Sequence, residues 1–192
     1  MRRTQLRGVV VGVAATLTAA LLTASPGAAQ ETTGYLTPPP EIVDILDAPP
    51  IPQVVVSPRG DTVALLSRPA MPSIAELAQP MLRLAGYRLN PRTNGPQRPA
   101  GLTRITLTGI SDGAEHAFDA PRETSLGRVE FSPDGSRLIF TLTRYNGIEV
   151  WLMEVATGDA RPLSDASINA AWGDPCDWLD ENATVICTFK AS

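Results

Sequence analysis

Two stretches of this 192-residue chain repeat one another. Val54 to Ser67, "VVVSPRGDTVALLS", aligns with Val129 to Thr143, "VEFSPDGSRLIFTLT"; both place Ser-Pro-x-Gly between two apolar runs. A repeat constrains the fold strongly, because each copy must bury its apolar face against a neighbour of its own kind. In the second copy Val129 and Phe131 alternate with Arg128 and Glu130, the period of a strand with one apolar face. Pro133-Asp134-Gly135 sets a tight turn, since proline fixes φ and glycine takes the left-handed position. The chain returns through Leu138, Phe140 and Leu142, again alternating.

A second hairpin follows, "IEVWLMEVATGDARPL" (Ile148 to Leu163), turning at Thr157-Gly158-Asp159. Its counterpart in the first copy is "LTRITLTGISDGAEHAF" (Leu102 to Phe118). Four short strands in roughly 45 residues is the period of one propeller blade. A third copy, "DWLDENATVICTF" (Asp177 to Phe189), puts Trp178 at the place of Phe131, 47 residues further on. The expected fold is all-β, a partial β-propeller over 54–192 with about three blade-like units. An insertion, 69–101, interrupts the first unit. Within it "SIAELAQPMLRLAG" reads as a short helix, with a capping box from Ser73 to Glu76 and a kink or stop at Pro80. "NPRTNGPQRPAG" beyond it reads as turn-rich loop.

The N-terminus has its own pattern. Arg2, Arg3 and Arg7 precede an uncharged run of 14 residues, Val9 to Leu22, and then Pro26 and Gly27-Ala28-Ala29. That is the layout of a cleavable signal peptide over 1–29, and the run is short for a bilayer core of ~30 Å. Export to the periplasm or exterior is expected, by the general or the twin-arginine route. No membrane association is expected after cleavage. Residues 30–53 are Pro-rich, with one or two helical turns expected between Pro40 and Pro49 from Ile42, Ile45 and Leu46. The signal takes three of the 16 basic residues and none of the 20 acidic ones, leaving a net charge of −7. An acidic chain without a basic run is a poor nucleic-acid partner.

"GISDG" (Gly109 to Gly113) matches the G-x-S-x-G pattern of hydrolase nucleophiles, and His116 and Asp119 follow closely. A nucleophile elbow needs a buried strand before the serine and a helix after it. Ser111 stands instead between two alternating strands, so it reads as a turn residue, and no catalytic residue is assigned. No cofactor or metal site is assigned either. Cys176 and Cys187 lack zinc-ligand spacing with His116, no phosphate loop opens a helix, and Asp174, Asp177, Asp180 and Glu181 lack a calcium-loop spacing. Those carboxylates read as a solvated turn face, and the sequon at Asn182 as incidental. Arg83, Arg88, Arg92 and Arg98 in the insertion are either ordinary surface charge or bidentate partners for a substrate carboxylate.

The blade alignment pairs Trp178 with Val185 across the third hairpin, and therefore Cys176 with Cys187. Directly opposed residues of a non-hydrogen-bonded pair approach to ~4.5 Å between Cα atoms, which a disulfide can span. In an exported chain such a bridge persists, with stabilisation on the order of 2–3 kcal/mol. The alternative is two reduced cysteines buried separately as small apolar groups.

The run from Tyr35 to Pro96, "YLTPPPEIVDILDAPPIPQVVVSPRGDTVALLSRPAMPSIAELAQPMLRLAGYRLNPRTNGP", resembles the start of the mature chain in glutamyl endopeptidase-like members of the prolyl oligopeptidase family of serine peptidases. "NAAWGDPCDWLDENATVICTF" (Asn169 to Phe189) resembles a later blade of the same proteins. The resemblance implies an N-terminal propeller that restricts access to a hydrolase domain carrying Ser, Asp and His. The partners it implies are that peptidase domain and peptide substrates. No position of this sequence matches the family's catalytic residues, so the chain reads as the non-catalytic beginning of such a peptidase, without activity of its own. Two other readings stand beside it: a periplasmic propeller used as a protein-binding scaffold, similar to TolB, and a small independent β-sheet protein.

Overall fold

The computed structural model describes residues 37–97, 101–179 and 184–191. The expected signal segment and the first part of the Pro-rich stretch lie outside them. The chain divides into two compact units, 1–43 and 44–192. Helix α1 (Pro40–Asp47) runs across that boundary and opens on a proline, where the missing N–H is not needed. It fulfils the expectation of helical turns between Pro40 and Pro49.

The unit 44–192 is mostly β. Strands β1 (Gln53–Val56) and β2 (Thr62–Ser67) form the first hairpin of an antiparallel sheet. Beyond the insertion, which holds β3 (Leu82–Leu84), β4 (Tyr87–Asn90) and β5 (Gly95–Pro96), strands β6 (Arg104–Gly109) and β7 (Glu115–Asp119) complete it in the order β1-β2-β6-β7. The second sheet is built without interruption from β8 (Ser125–Phe131), β9 (Arg137–Arg144), β10 (Gly147–Glu154) and β11 (Ala160–Pro162), each paired with the next. The two sheets are the two repeats. A third hairpin, β12 (Cys176–Trp178) with β13 (Val185–Cys187), pairs Cys176 with Cys187 and Trp178 with Val185.

The Ser-Pro-x-Gly turns are alike in detail. Gly60 and Gly135 have φ of 70° and 71°, and each N–H bonds back to the carbonyl of the turn serine, at 2.9 and 2.8 Å. Ser57 and Ser132 are buried, and both are satisfied twice. Ser57 Oγ donates to Asp61 and accepts from the Thr62 N–H. Ser132 Oγ donates to Asp134 at 2.7 Å and accepts from the Arg137 N–H. Hydrogen bonds from Ser132 first, then from the Ser136 N–H and hydroxyl, lower the Asp134 carboxyl to about 2.

Two cores hold the unit together. Ala64, Leu66, Ile105 and Leu107 of the first sheet pack with Leu126, Phe131, Leu138, Phe140, Leu142 and Met153 of the second. The ring of Phe118 lies 5.0 Å from that of Phe140 and 5.6 Å from that of Trp151, at tilted angles suited to the aromatic quadrupole. On the opposite face of the second sheet, Ile139, Ile148, Val150 and Leu152 pack with Ile168, Ala170 and Cys176.

The insertion differs from the expected helix and loop. Ser73 caps α2 (Ile74–Leu77) by accepting the Glu76 N–H at 3.1 Å, but the helix ends after one turn. Pro80 cannot donate to a continuing helix. The following residues instead form β3 (Leu82–Leu84) and β4 (Tyr87–Asn90), joined by Ala85 and Gly86 with φ of 47° and 91°, the left-handed pair of a two-residue hairpin loop. β5 (Gly95–Pro96) adds a third strand within the stretch read as loop. The insertion is thus one helical turn and a small three-stranded sheet.

Two outcomes follow. Phe140→Ala, which empties the centre of the inter-sheet core, is expected to cost about 3–5 kcal/mol in urea unfolding, and Val54→Ala, at an exposed site, well under 1 kcal/mol. Asp134 is depressed, so its contribution is present above its ordinary value of 3.8 and lost as pH falls through about 2. Stability curves of the wild type and Asp134→Ala should therefore converge below about pH 2. A difference unchanged across that window would count against the turn network.

Candidate functional site

Ser111 lies in the exposed turn between β6 and β7, as the strand pairing on both sides requires. Asp112 Oδ1 accepts the Ala114 N–H at 3.1 Å and closes that turn. A Cβ on Gly109 would stand 2.2 Å from that carboxylate, so the closed turn sits directly over Gly109. His116 is on β7 opposite Leu107, with its ring against Gly158 of the next sheet's turn. Asp119 is at the far end of β7, paired with Arg104 at 3.5 Å. The three residues do not assemble.

The carboxylates near the third hairpin have a partner that the sequence reading missed. Arg128, on β8, reaches Asp174 at 2.7 Å and Asp177 at 3.0 Å and also pairs with Glu130. Its side chain is only 18% exposed. Burial lowers its pKa, but the hydrogen bonds it donates to Glu130 and Asp174, with their negative charges, outweigh this and raise it. An arginine thus holds the acidic cluster, and no metal-ligand cluster occurs among the described residues. Asp180, Glu181 and Asn182 lie outside them. The strand alternation placed Arg128 on the polar face correctly but gave no sign of what would cover it. A register shift between Leu126 and Val129 adds an irregularity that no periodicity announces.

Cys176 and Cys187 form a disulfide, with Cα atoms 4.1 Å apart and no free cysteine left among the described residues.

A cleft of about 710 Å³ lies between the insertion and the turns of the second sheet. Arg92, Arg122, Glu123, Arg144 and Tyr145 line it. The insertion is folded to present Arg92. The Arg92 N–H bonds Asn90 Oδ1 at 3.0 Å, and Asn90 Nδ2 donates to Gln79 at 2.6 Å. The Arg92 guanidinium then lies 4.6 Å from the centroid of the Tyr145 ring, a cation–π contact. Arg144 is spent on Glu149, whose carboxyl burial would raise; hydrogen bonds from Arg144 and Trp151 Nε1 outweigh that and lower it. Arg92 and Arg122 have no ion-pair partner within 4 Å among the described residues, so two guanidinium groups share the cleft with the carboxylates of Glu76 and Glu123. Arg83 and Arg88 oppose each other across β3 and β4, away from the cleft lining, and Arg98 lies outside the described residues. The repeat held the signal for the missed wall. The β9–β10 turn "RYNG" (Arg144 to Gly147) occupies in the second sheet the place the insertion takes in the first.

No protein-family model matches the chain. Over 173 residues it is 34% identical to "Probable glutamyl endopeptidase, chloroplastic" of Arabidopsis thaliana and 32% identical to the protein of that name in Oryza sativa subsp. japonica. Each alignment covers 83% of this chain and 18% of the relative. Among solved structures, the acylaminoacyl peptidase of Pyrococcus horikoshii matches 72% of this chain and 17% of its own, with a TM-score of 0.43 and 14% identity. TolB from Acinetobacter baumannii matches 62% and 22%, at 0.32 and 18%. The chain is a mostly β repeat protein of two four-stranded antiparallel sheets and a bridged hairpin. It is homologous to the glutamyl endopeptidases of the prolyl oligopeptidase family, and it spans less than a fifth of the length of the curated relatives it matches.

Arg128→Gln removes the centre of an ion cluster whose acidic partners are mostly solvated. It should lower stability by about 1 kcal/mol, or roughly 2–4 °C in thermal midpoint, with the loss shrinking in high salt. Equal midpoints at low salt would show that the cluster contributes nothing.

Proposed function

We propose that this chain is the N-terminal, non-catalytic β-propeller portion of an exported prolyl oligopeptidase-like serine peptidase. On this reading it restricts peptide access to a hydrolase domain carried by the remainder of a longer protein. The observation that carries the reading is the 34% identity to a glutamyl endopeptidase over 83% of the chain. The repeated four-stranded meander supports it: two blades in sequence, and β12–β13 as the first half of a third. The cleft holding Arg92 and Arg122 fits it as well, because a protein that admits acidic peptides gains from guanidinium groups on its approach surface. Export follows from the pattern of residues 1–29, and fractionation of the expressing cell tests that part.

Catalysis is tested on the purified chain. Activated esters and glutamyl peptides should show no turnover above buffer, and Ser111→Ala should change nothing. Turnover abolished by that substitution would overturn the non-catalytic assignment.

A further inference from the structure

We propose that the Cys176–Cys187 bridge is a reducible site for a small anionic thiol, and that opening it releases the β12–β13 hairpin from the second sheet. This stands without the peptidase reading. The two sulfurs are not equivalent. Cys176 is 1% exposed, whereas Cys187 is half-buried on the wall of a separate cavity of about 220 Å³. Arg137, Arg161, Trp178 and Phe189 share that wall. Arg137 is paired with Glu154 at 3.3 Å, while Arg161 has no carboxylate partner among the described residues. The buried indole N–H of Trp178 has no acceptor among the described residues. A cavity that carries the Arg161 guanidinium beside the half-buried Cys187 favours a thiol that carries carboxylates, and it favours the thiolate form that does the attacking.

The exchange balances as follows. The incoming thiolate bonds to Cys187 Sγ, the Sγ–Sγ bond breaks, and Cys176 leaves as a thiolate that solvent protonates. A second thiol attacks the outer sulfur of the mixed disulfide, freeing Cys187 and leaving the reagent as its own disulfide. The protein gains two protons and two electrons, and two thiols are oxidised.

The hairpin's own pairing is short. Its strands are three residues each, and a lone two-stranded hairpin is marginal in water. It is attached by the packing of Trp178 and Val185 on the second sheet, by the grip of Arg128 on Asp174 and Asp177, and by hydrogen bonds that join Thr188 and Lys190 to the 167–169 segment, whose Ile168 N–H bonds Ile148 O of the second sheet. Release would uncover Ile139, Ile148, Val150 and Leu152.

The test treats the oxidised full chain with reduced glutathione in native buffer, reading thiols by alkylation and mass spectrometry and backbone opening by hydrogen exchange. Both cysteines should become alkylated. Exchange of the Leu179 and Thr188 amides, bonded to Thr184 O and Pro175 O, should rise about tenfold or more, with β9 unchanged. The double variant Cys176→Ser/Cys187→Ser should show the same opening without thiol. Arg161→Gln should slow glutathione severalfold and leave neutral 2-mercaptoethanol unaffected. A bridge reduced only in urea, or reduction without hairpin opening, overturns the proposal. An equal effect of Arg161→Gln on both thiols overturns the assignment to an anionic reagent.

Discussion

Strand β9 is the element on which both cores depend. Leu138, Phe140 and Leu142 face the first sheet, and Ile139 faces the third hairpin, so the strand has no solvent face along most of its length. A sheet apolar on both sides cannot be stable by itself in water, since the exposed face forfeits about 25 cal/mol for each Å² left uncovered. The second sheet therefore requires a neighbour on each side, and the molecule is a stack in which every layer is completed by the next. This is the physical content of the sequence repeat.

The turns set the spacing of that stack. A Cβ on Gly158 would meet His116 of the preceding sheet at 2.7 Å, and one on Gly135 would lie 3.5 Å from Arg59 Nε. Left-handed glycines fix φ in both turns, and Gly158 in addition admits His116 of the adjacent strand, whereas the contact at Gly135 is an ordinary one. The buried turn serines work with them. Each hydroxyl replaces water for a carboxylate and a backbone N–H that the tight turn leaves without a strand partner, and so the motif keeps serine where another small residue would fill the volume.

Much of this was legible in the sequence because it repeats. The alternation around Phe131 and Phe140 located β8 and β9, and the blade alignment set the Cys176–Cys187 register through Trp178 and Val185. The insertion was legible only as far as its cap. Ser73 and Glu76 announce a helix, but "MLRLAGYRLN" carries apolar spacing that suits helix and hairpin alike, and the left-handed conformation of Ala85 is a tertiary outcome. The Arg92–Tyr145 contact and the Arg128 cluster join residues 53 and 46 positions apart in the chain (Arg92 to Tyr145; Arg128 to Asp174). Local periodicity has no access to such pairs, which form only once the second sheet meets the insertion on one side and the third hairpin on the other.

That equivalence also accounts for an apolar surface that would otherwise look misplaced. Val54 and Val56 of the first sheet are 57% and 54% exposed, yet in the repeat they correspond to Val129 and Phe131, and Phe131 is core. Val63 and Leu65 correspond in the same way to Leu138 and Phe140. The side chains are thus of core type at positions that the first sheet leaves exposed (Val54, Val56) or half-buried (Val63, Leu65), because the cover in the second sheet comes from the layer before it. A stack with a direction always leaves that face on its first member. On the proposed propeller reading the direction is a rotation, and the face left on the first blade is the one a ring must meet when it closes.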